Sequence, residues 1–197
     1  MIYNNLIKHG KFIILWGLLF AFIILVISLF FPKYYKAEAD LLVRPAASDS
    51  TDPYALSRAS ESMGESLSQI ISTTDFYNKL IANNEKLNKE RWGDLSSKKQ
   101  RKQWAEDVSA SMSYGTSLLH VSVYAKNKDE SLKLAKAVSE TLSVRGWEYV
   151  GSNVVVKQVN NPIVSRLPQK PNFILNMVLG FVLGVLLSSF LVIKYKS

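Results

Sequence analysis

The chain has 197 residues, with 24 Lys and Arg against 16 Asp and Glu, a formal net charge of +8. It holds no cysteine and only two histidines, His9 and His120. Disulfides are therefore excluded, and so are metal sites built from clusters of Cys and His.

The first element is "FIILWGLLFAFIILVISLFF", residues 12–31, which carries no charge. At the other end Phe173 to Ile193 is also uncharged, with only Asn176, Ser188 and Ser189 as mild polar positions. A helix of that length rises about 31 Å and matches a bilayer core. Both segments are predicted to be transmembrane helices. A cleaved signal peptide is the competing reading of the first, given the basic start (Lys8, Lys11) and the A-x-A at Ala37-Glu38-Ala39. Its apolar run, however, exceeds the usual length of about 7–15 residues, and the A-x-A falls inside a strand pattern. The predicted layout is a tail at 1–11, a span at 12–31, a domain at 32–171, a span at 172–193 and a tail at 194–197. The tails carry Lys8, Lys11, Lys194 and Lys196 and no acid, so the positive-inside rule predicts cytoplasmic tails and an extracytoplasmic domain.

The domain begins with "YYKAEADLLVRP". Tyr35, Ala37, Ala39, Leu41 and Val43 alternate with Lys36, Glu38, Asp40, Leu42 and Arg44, the period of a half-buried strand. "AASDSTDP" is a polar loop. Tyr54–Ile71 reads as a helix with a Ser-rich outer face, Thr74–Leu87 as a second, and Ser96–Asp107 as an exposed third. The period then returns to two. Val108, Ala110, Met112 and Tyr114 alternate with serines, Gly115-Thr116 offers a turn, and Leu119, Val121, Val123 and Ala125 alternate again. This predicts a β-hairpin. Asn127 to Glu130 has the residues of a capping box, opening a helix with Leu132, Ala135, Val138, Leu142 and Tyr149 on one side. "NVVVKQV" gives a last strand, and Pro162, Pro168 and Pro171 hold the chain extended up to the membrane. Strands near both ends of the domain are expected to pair and bring the two spans together. The fold class is α+β, with two transmembrane helices flanking the domain.

For catalysis the sequence offers little, and no nucleotide-binding phosphate loop occurs. Glu38 and Asp40 share a strand face with Lys36 and Arg44, a solvated mixed-charge surface. The stretch "KLNKERWGDLSSKKQRK", residues 86–102, holds seven basic residues against two acidic ones. Lys98, Lys99, Arg101 and Lys102 would form a basic face able to attract an anionic glycan or a lipid-linked sugar phosphate. Trp92 or Trp104 could stack on a sugar ring. The plainer reading, a solvated helix face, is preferred. Nucleic acid is not expected as a partner outside the cytoplasm, and no cofactor or metal is expected. In the second span Gly180, Gly184 and Ser188 recur every four residues, a stripe suited to close helix packing in lipid. The partner is either the first span or another subunit.

Four segments carry a family resemblance: "PKYYKAEADLLV" after the first span, "GTSLLHVSVYAKNKDESLKLAKAVSETL", the exit "NNPIVSRLPQKPN", and "MVLGFVLGVLLSS" in the second span. In order and spacing they resemble a short form of the Wzz family of chain-length determinants, the polysaccharide co-polymerases. The resemblance implies a non-enzymatic, homo-oligomeric ring in the bacterial inner membrane. Such a ring would stand beside the polymerase that extends a lipid-linked glycan and would set the length of a surface polysaccharide, whether O-antigen, capsule or exopolysaccharide. The alternative is a two-span sensor or adaptor subunit acting through a partner such as a kinase or transporter. Only "KYKS" follows the second span, so output is expected from the domain and from what the spans touch.

Overall fold

The computed structural model describes residues 9–46, 52–84, 87, 90–151 and 154–196. Residues 1–8 of the predicted tail at 1–11, most of the polar loop, Lys86 and Lys89 of the basic stretch, and Ser197 lie outside the described residues. The chain forms two units, residues 34–167 and the terminal segments 1–33 with 168–197.

The terminal unit is a helix pair. α1 (Gly10–Leu29) and α8 (Phe173–Lys196) are both long and apolar enough to cross a membrane. Most of their large side chains point outward, Leu15, Phe22, Ile174 and Phe190 among them. Such exposure is costly in water and favourable in lipid.

The second unit is a sheet covered by helices. β1 (Tyr35–Pro45) lies at its centre, flanked by β3 (Leu118–Ala125) and β4 (Val154–Gln158). β2 (Val108–Ser113) forms the outer edge against β3, in the strand order β2-β3-β1-β4, and every pairing is antiparallel. The alternation in β1 has a direct cause. Ala37, Ala39, Leu41 and Val43 are buried against helices, and in β3 Leu119, Val121, Val123 and Ala125 are buried on the same side. The A-x-A of the sequence is thus mid-strand, with both alanines in the core. The hairpin turns where predicted, with Gly115 at φ 78° and Ser117 at φ 55°. Glu61 steadies it by accepting the Gly115 N–H at 2.7 Å.

α2 (Pro53–Ile70) starts with Asp52, whose carboxylate accepts the Tyr54 N–H at 3.0 Å, and with proline in its first turn. It buries Ser60, Gly64 and Leu67 against the sheet. The Met112 side chain fills the space that Gly64 leaves open, and a Cβ there would displace it. α3 (Thr74–Asn83) is capped by Thr73 and stops before the expected Leu87. Asn84 ends it by folding its side chain back, donating to the Leu80 carbonyl at 3.0 Å. α4 (Glu90–Gly93) is a single unforeseen turn, and α5 (Ser97–Asp107) matches the third predicted helix.

α6 (Lys128–Arg145) differs from its prediction in three ways. Asn127 makes no side-chain cap, so the capping box is not formed; Ser131 instead donates to the Lys128 carbonyl at 2.8 Å. The buried stripe takes in Leu134, Ala135, Val138 and Leu142, with Leu132 only half-buried. Tyr149 lies beyond Gly146, on the short α7 (Trp147–Val150).

The expected pairing of first and last strands is present. β1 pairs with β4, and a short β5 (Ile163–Val164), not foreseen, pairs with Ala37 and Glu38. Ser165 clamps this exit: its N–H donates to the Lys36 carbonyl at 2.8 Å and its Oγ accepts the Lys36 N–H at 3.1 Å. Pro162 is buried just before β5, whereas Pro168 and Pro171 belong to the terminal unit.

Candidate functional site

The small-residue stripe of α8 faces α1 of the same chain. A Cβ on Gly184 would lie 2.8 Å from the Trp16 carbonyl oxygen and 2.9 Å from the Gly17 Cα. One on Gly180 would lie 3.0 Å from the Ala21 Cα. Gly17 reciprocates, its absent side chain leaving room for Phe181 and Val185. Backbone therefore meets backbone, a geometry that only glycine permits at this distance. Ser188 is buried in the same face, and its hydroxyl is satisfied within α8, donating to the Gly184 carbonyl at 2.8 Å. The polar cross-link comes from a pair the sequence reading passed over. Asn176 Nδ2 donates to Ser28 Oγ at 2.8 Å. The signal was present as one amide and one hydroxyl in otherwise apolar helices, but nothing in the sequence pairs residues so far apart.

The basic face of α5 is exposed as expected at Lys98, Lys99, Arg101 and Lys102. The tryptophans are not, and this corrects the expectation. Trp104 is 1% exposed and Trp92 4%. They meet edge to face at 5.4 Å, and Tyr77 packs against Trp104 at 5.1 Å. Trp104 Nε1 donates to the Ile71 carbonyl at 2.8 Å. Neither ring offers a face to a sugar. A polar helix such as α5 covers a core with few apolar side chains, and Trp104 is the one large enough to do so, with Trp92 of α4 packed beside it.

Beside them Asp107 is a buried carboxylate, and the sequence reading missed it. It accepts from Trp92 Nε1 at 3.0 Å and from Gln103 Nε2 at 3.2 Å, and it pairs with the Arg91 guanidinium. Burial of a charge is tolerated because it is paired and bonded on every side. A second network joins α3 to α7. Tyr149 Oη donates to Asp75 at 2.7 Å, and Lys79 bridges Asp75 at 3.1 Å and Glu148 at 2.6 Å. The Tyr149 hydrogen bond, helped by that of Lys79, holds Asp75 below the usual carboxylate range. The bonds to Glu148 and Asp75 push Lys79 upward. Desolvation, then the Asp75 carboxylate, pushes Tyr149 up to about 12.

On the outer sheet face Asp40 and His120 are cross-strand partners, 2.6 Å apart, and Lys36 pairs with Glu38. This is the solvated mixed-charge surface that the alternation predicted. Among the described residues no group of three His, Asp or Glu side chains is placed to hold a metal ion.

Comparison with known families gives one match. Residues 1–84 fit the family model described as Wzz, chain length determinant protein. The resemblance to the Wzz family holds. The matched segment takes in α1, β1, α2 and α3, and with them "PKYYKAEADLLV", the first of the four segments that carry the resemblance. The hairpin, the proline-rich exit and the second span lie beyond it. A comparison with curated proteins found no match.

Proposed function

We propose that this Wzz-like chain is a non-enzymatic membrane scaffold that regulates the length of a surface polysaccharide. The observation that carries the reading is the match of residues 1–84 to the chain length determinant family. The two candidate membrane helices at either end of the α+β region agree with it. In this proposal several copies assemble as a ring in the bacterial inner membrane, with the sheet domain on the extracytoplasmic side. They hold a membrane polymerase or its lipid-linked glycan at fixed geometry. The packing of Gly180 and Gly184 on α1 gives each copy a helix hairpin as its membrane anchor. Contacts between copies then fall to other surfaces.

The test is a deletion strain. Polysaccharide synthesis should continue while the gel profile of the surface glycan loses its preferred length, and the intact gene should restore it. An unchanged length distribution would overturn the scaffold reading. A simultaneous change in phosphorylation or transport with normal glycan length would favour the sensor or adaptor alternative.

A further inference from the structure

A groove of about 550 Å³ opens between α4, α5, the end of β3 and the start of α6. Its volume lies within the range of about 300–1,000 Å³ typical of small-molecule sites. Among the described residues three basic side chains line it: Arg91 on α4, Lys126 just after β3, and Lys133 on α6. Among the described residues Glu130 is the one acidic residue in the lining, and Tyr34, Leu87 and Leu95 supply apolar wall.

Arg91 is preorganised. Its guanidinium is held on one side by Asp107 and lies over the Tyr34 ring, 4.6 Å from the centroid. The Arg91 side chain is 16% exposed, and Asp107 only 4%. A guanidinium has five N–H donors. Asp107 is its one hydrogen-bonded acceptor among the described residues, and no buried donor is left unsatisfied there. Arg91 also lines the groove, which leaves its other donors available to a ligand there. Lys126 and Lys133 have no ion-pair partner within 4.0 Å among the described residues, although both line the same hollow. A held planar fork and two lysines that line one hollow match an oxyanion with several acceptor oxygens, and phosphate esters have that form.

We propose that this groove binds an organophosphate, with the phosphate held by Lys126, Lys133 and Arg91 and the esterified group lying along Tyr34, Leu87 and Leu95. Glu130 sets a limit on the charge accepted. The site differs from the exposed basic face of α5 in being concave and partly apolar. The proposal does not rest on chain-length control, and it can fail or hold separately from it.

The same chemistry can arrive as a free sugar phosphate or as a lipid headgroup, and the experiment has an arm for each. Full-length protein in phosphatidylcholine nanodiscs is titrated with glucose 1-phosphate by calorimetry. In parallel, protein is released from nanodiscs containing phosphatidic acid, and retained phosphatidate is counted by native mass spectrometry. Saturable binding is expected in at least one arm, and the arm identifies the source. Lys126→Gln and Lys133→Gln should each weaken it about tenfold, the effect of one charge-assisted contact. Glu130→Gln should tighten it, and Lys99→Gln on α5 should leave it unchanged. These side chains reach solvent, so unchanged circular dichroism is the check on folding. The proposal is overturned by absence of binding in both arms. It is equally overturned if the Lys126→Gln/Lys133→Gln double variant binds as well as the parent, or if Lys99→Gln is as damaging.

Discussion

Trp104 shows how one residue can look functional in sequence and be structural in space. It stands in a run of lysines, yet its ring is in the core and its N–H satisfies the Ile71 carbonyl. Trp104→Phe keeps an aromatic ring but strands that carbonyl, in a residue that is itself fully buried. The expected loss is about 2 kcal/mol, seen as a lower unfolding midpoint of the solubilised protein. Unchanged stability would mean that the hydrogen bond contributes nothing. Tyr149 offers a second test. Because its folded value lies above the ordinary tyrosine value of about 10, its contribution is complete below that pH and is lost as pH rises through about 12. Asp75 works at the other limb: its value is lowered, so its contribution holds above the ordinary carboxylate range and fades as pH falls through the depressed value. Tyr149→Phe should remove one late-titrating phenol from the ultraviolet titration and flatten the alkaline loss of stability between pH about 10 and about 12. A titration curve that keeps its late component would reassign that phenol to another tyrosine.

At the scale of elements, what the sequence made legible followed from local rules. β1, the hairpin and α6 appear because period and turn chemistry act over a few residues, and the Gly180–Gly184 spacing could be read as a packing face for the same reason. The failures were of another kind. Asn84 ended α3 through a side-chain hydrogen bond, and β5 formed only because β1 had an open edge to pair with. The partner of the glycine stripe could not be read at all, since it is a contact between the two ends of the chain. That contact makes a sharp prediction. Gly184→Leu places side-chain atoms where the Trp16 carbonyl and Gly17 Cα already are, an overpacking cost of about 1–3 kcal/mol. With cysteines introduced at Ser28 and Asn176, in a chain that has none of its own, oxidative cross-linking in membranes should be efficient. It should fall severalfold when Gly184→Leu is added. Leu186→Ile, at an outward position 61% exposed, should leave it unchanged. Equal cross-linking with Gly184→Leu would show that the hairpin does not depend on the stripe.

For the whole molecule, the question is whether the sheet domain owes its fold to the helix pair. Its core is self-contained: Leu41, Val43, Leu67, Phe76, Trp104, Val121, Leu134 and Leu142 belong to one cluster of buried side chains drawn from residues 34–167 alone. A unit of that size buries roughly two thirds of its unfolded surface, enough for independent folding. The entry and exit strands are also fastened to each other, β5 pairing with β1 and Ser165 bonding both ways to Lys36. No membrane anchor is then needed to hold the ends together. Residues 34–167 expressed alone should therefore unfold in one cooperative transition, with the mixed helix and sheet signal of the full chain. The scaffold reading adds a second expectation for the same fragment. Detached from its helices it cannot be held beside a membrane polymerase, so in the deletion strain it should fold and yet leave glycan length uncontrolled. A fragment without cooperative unfolding would mean that the helices complete the domain. A folded fragment that restored the parental length distribution would remove the membrane scaffold from the mechanism and leave the domain acting alone.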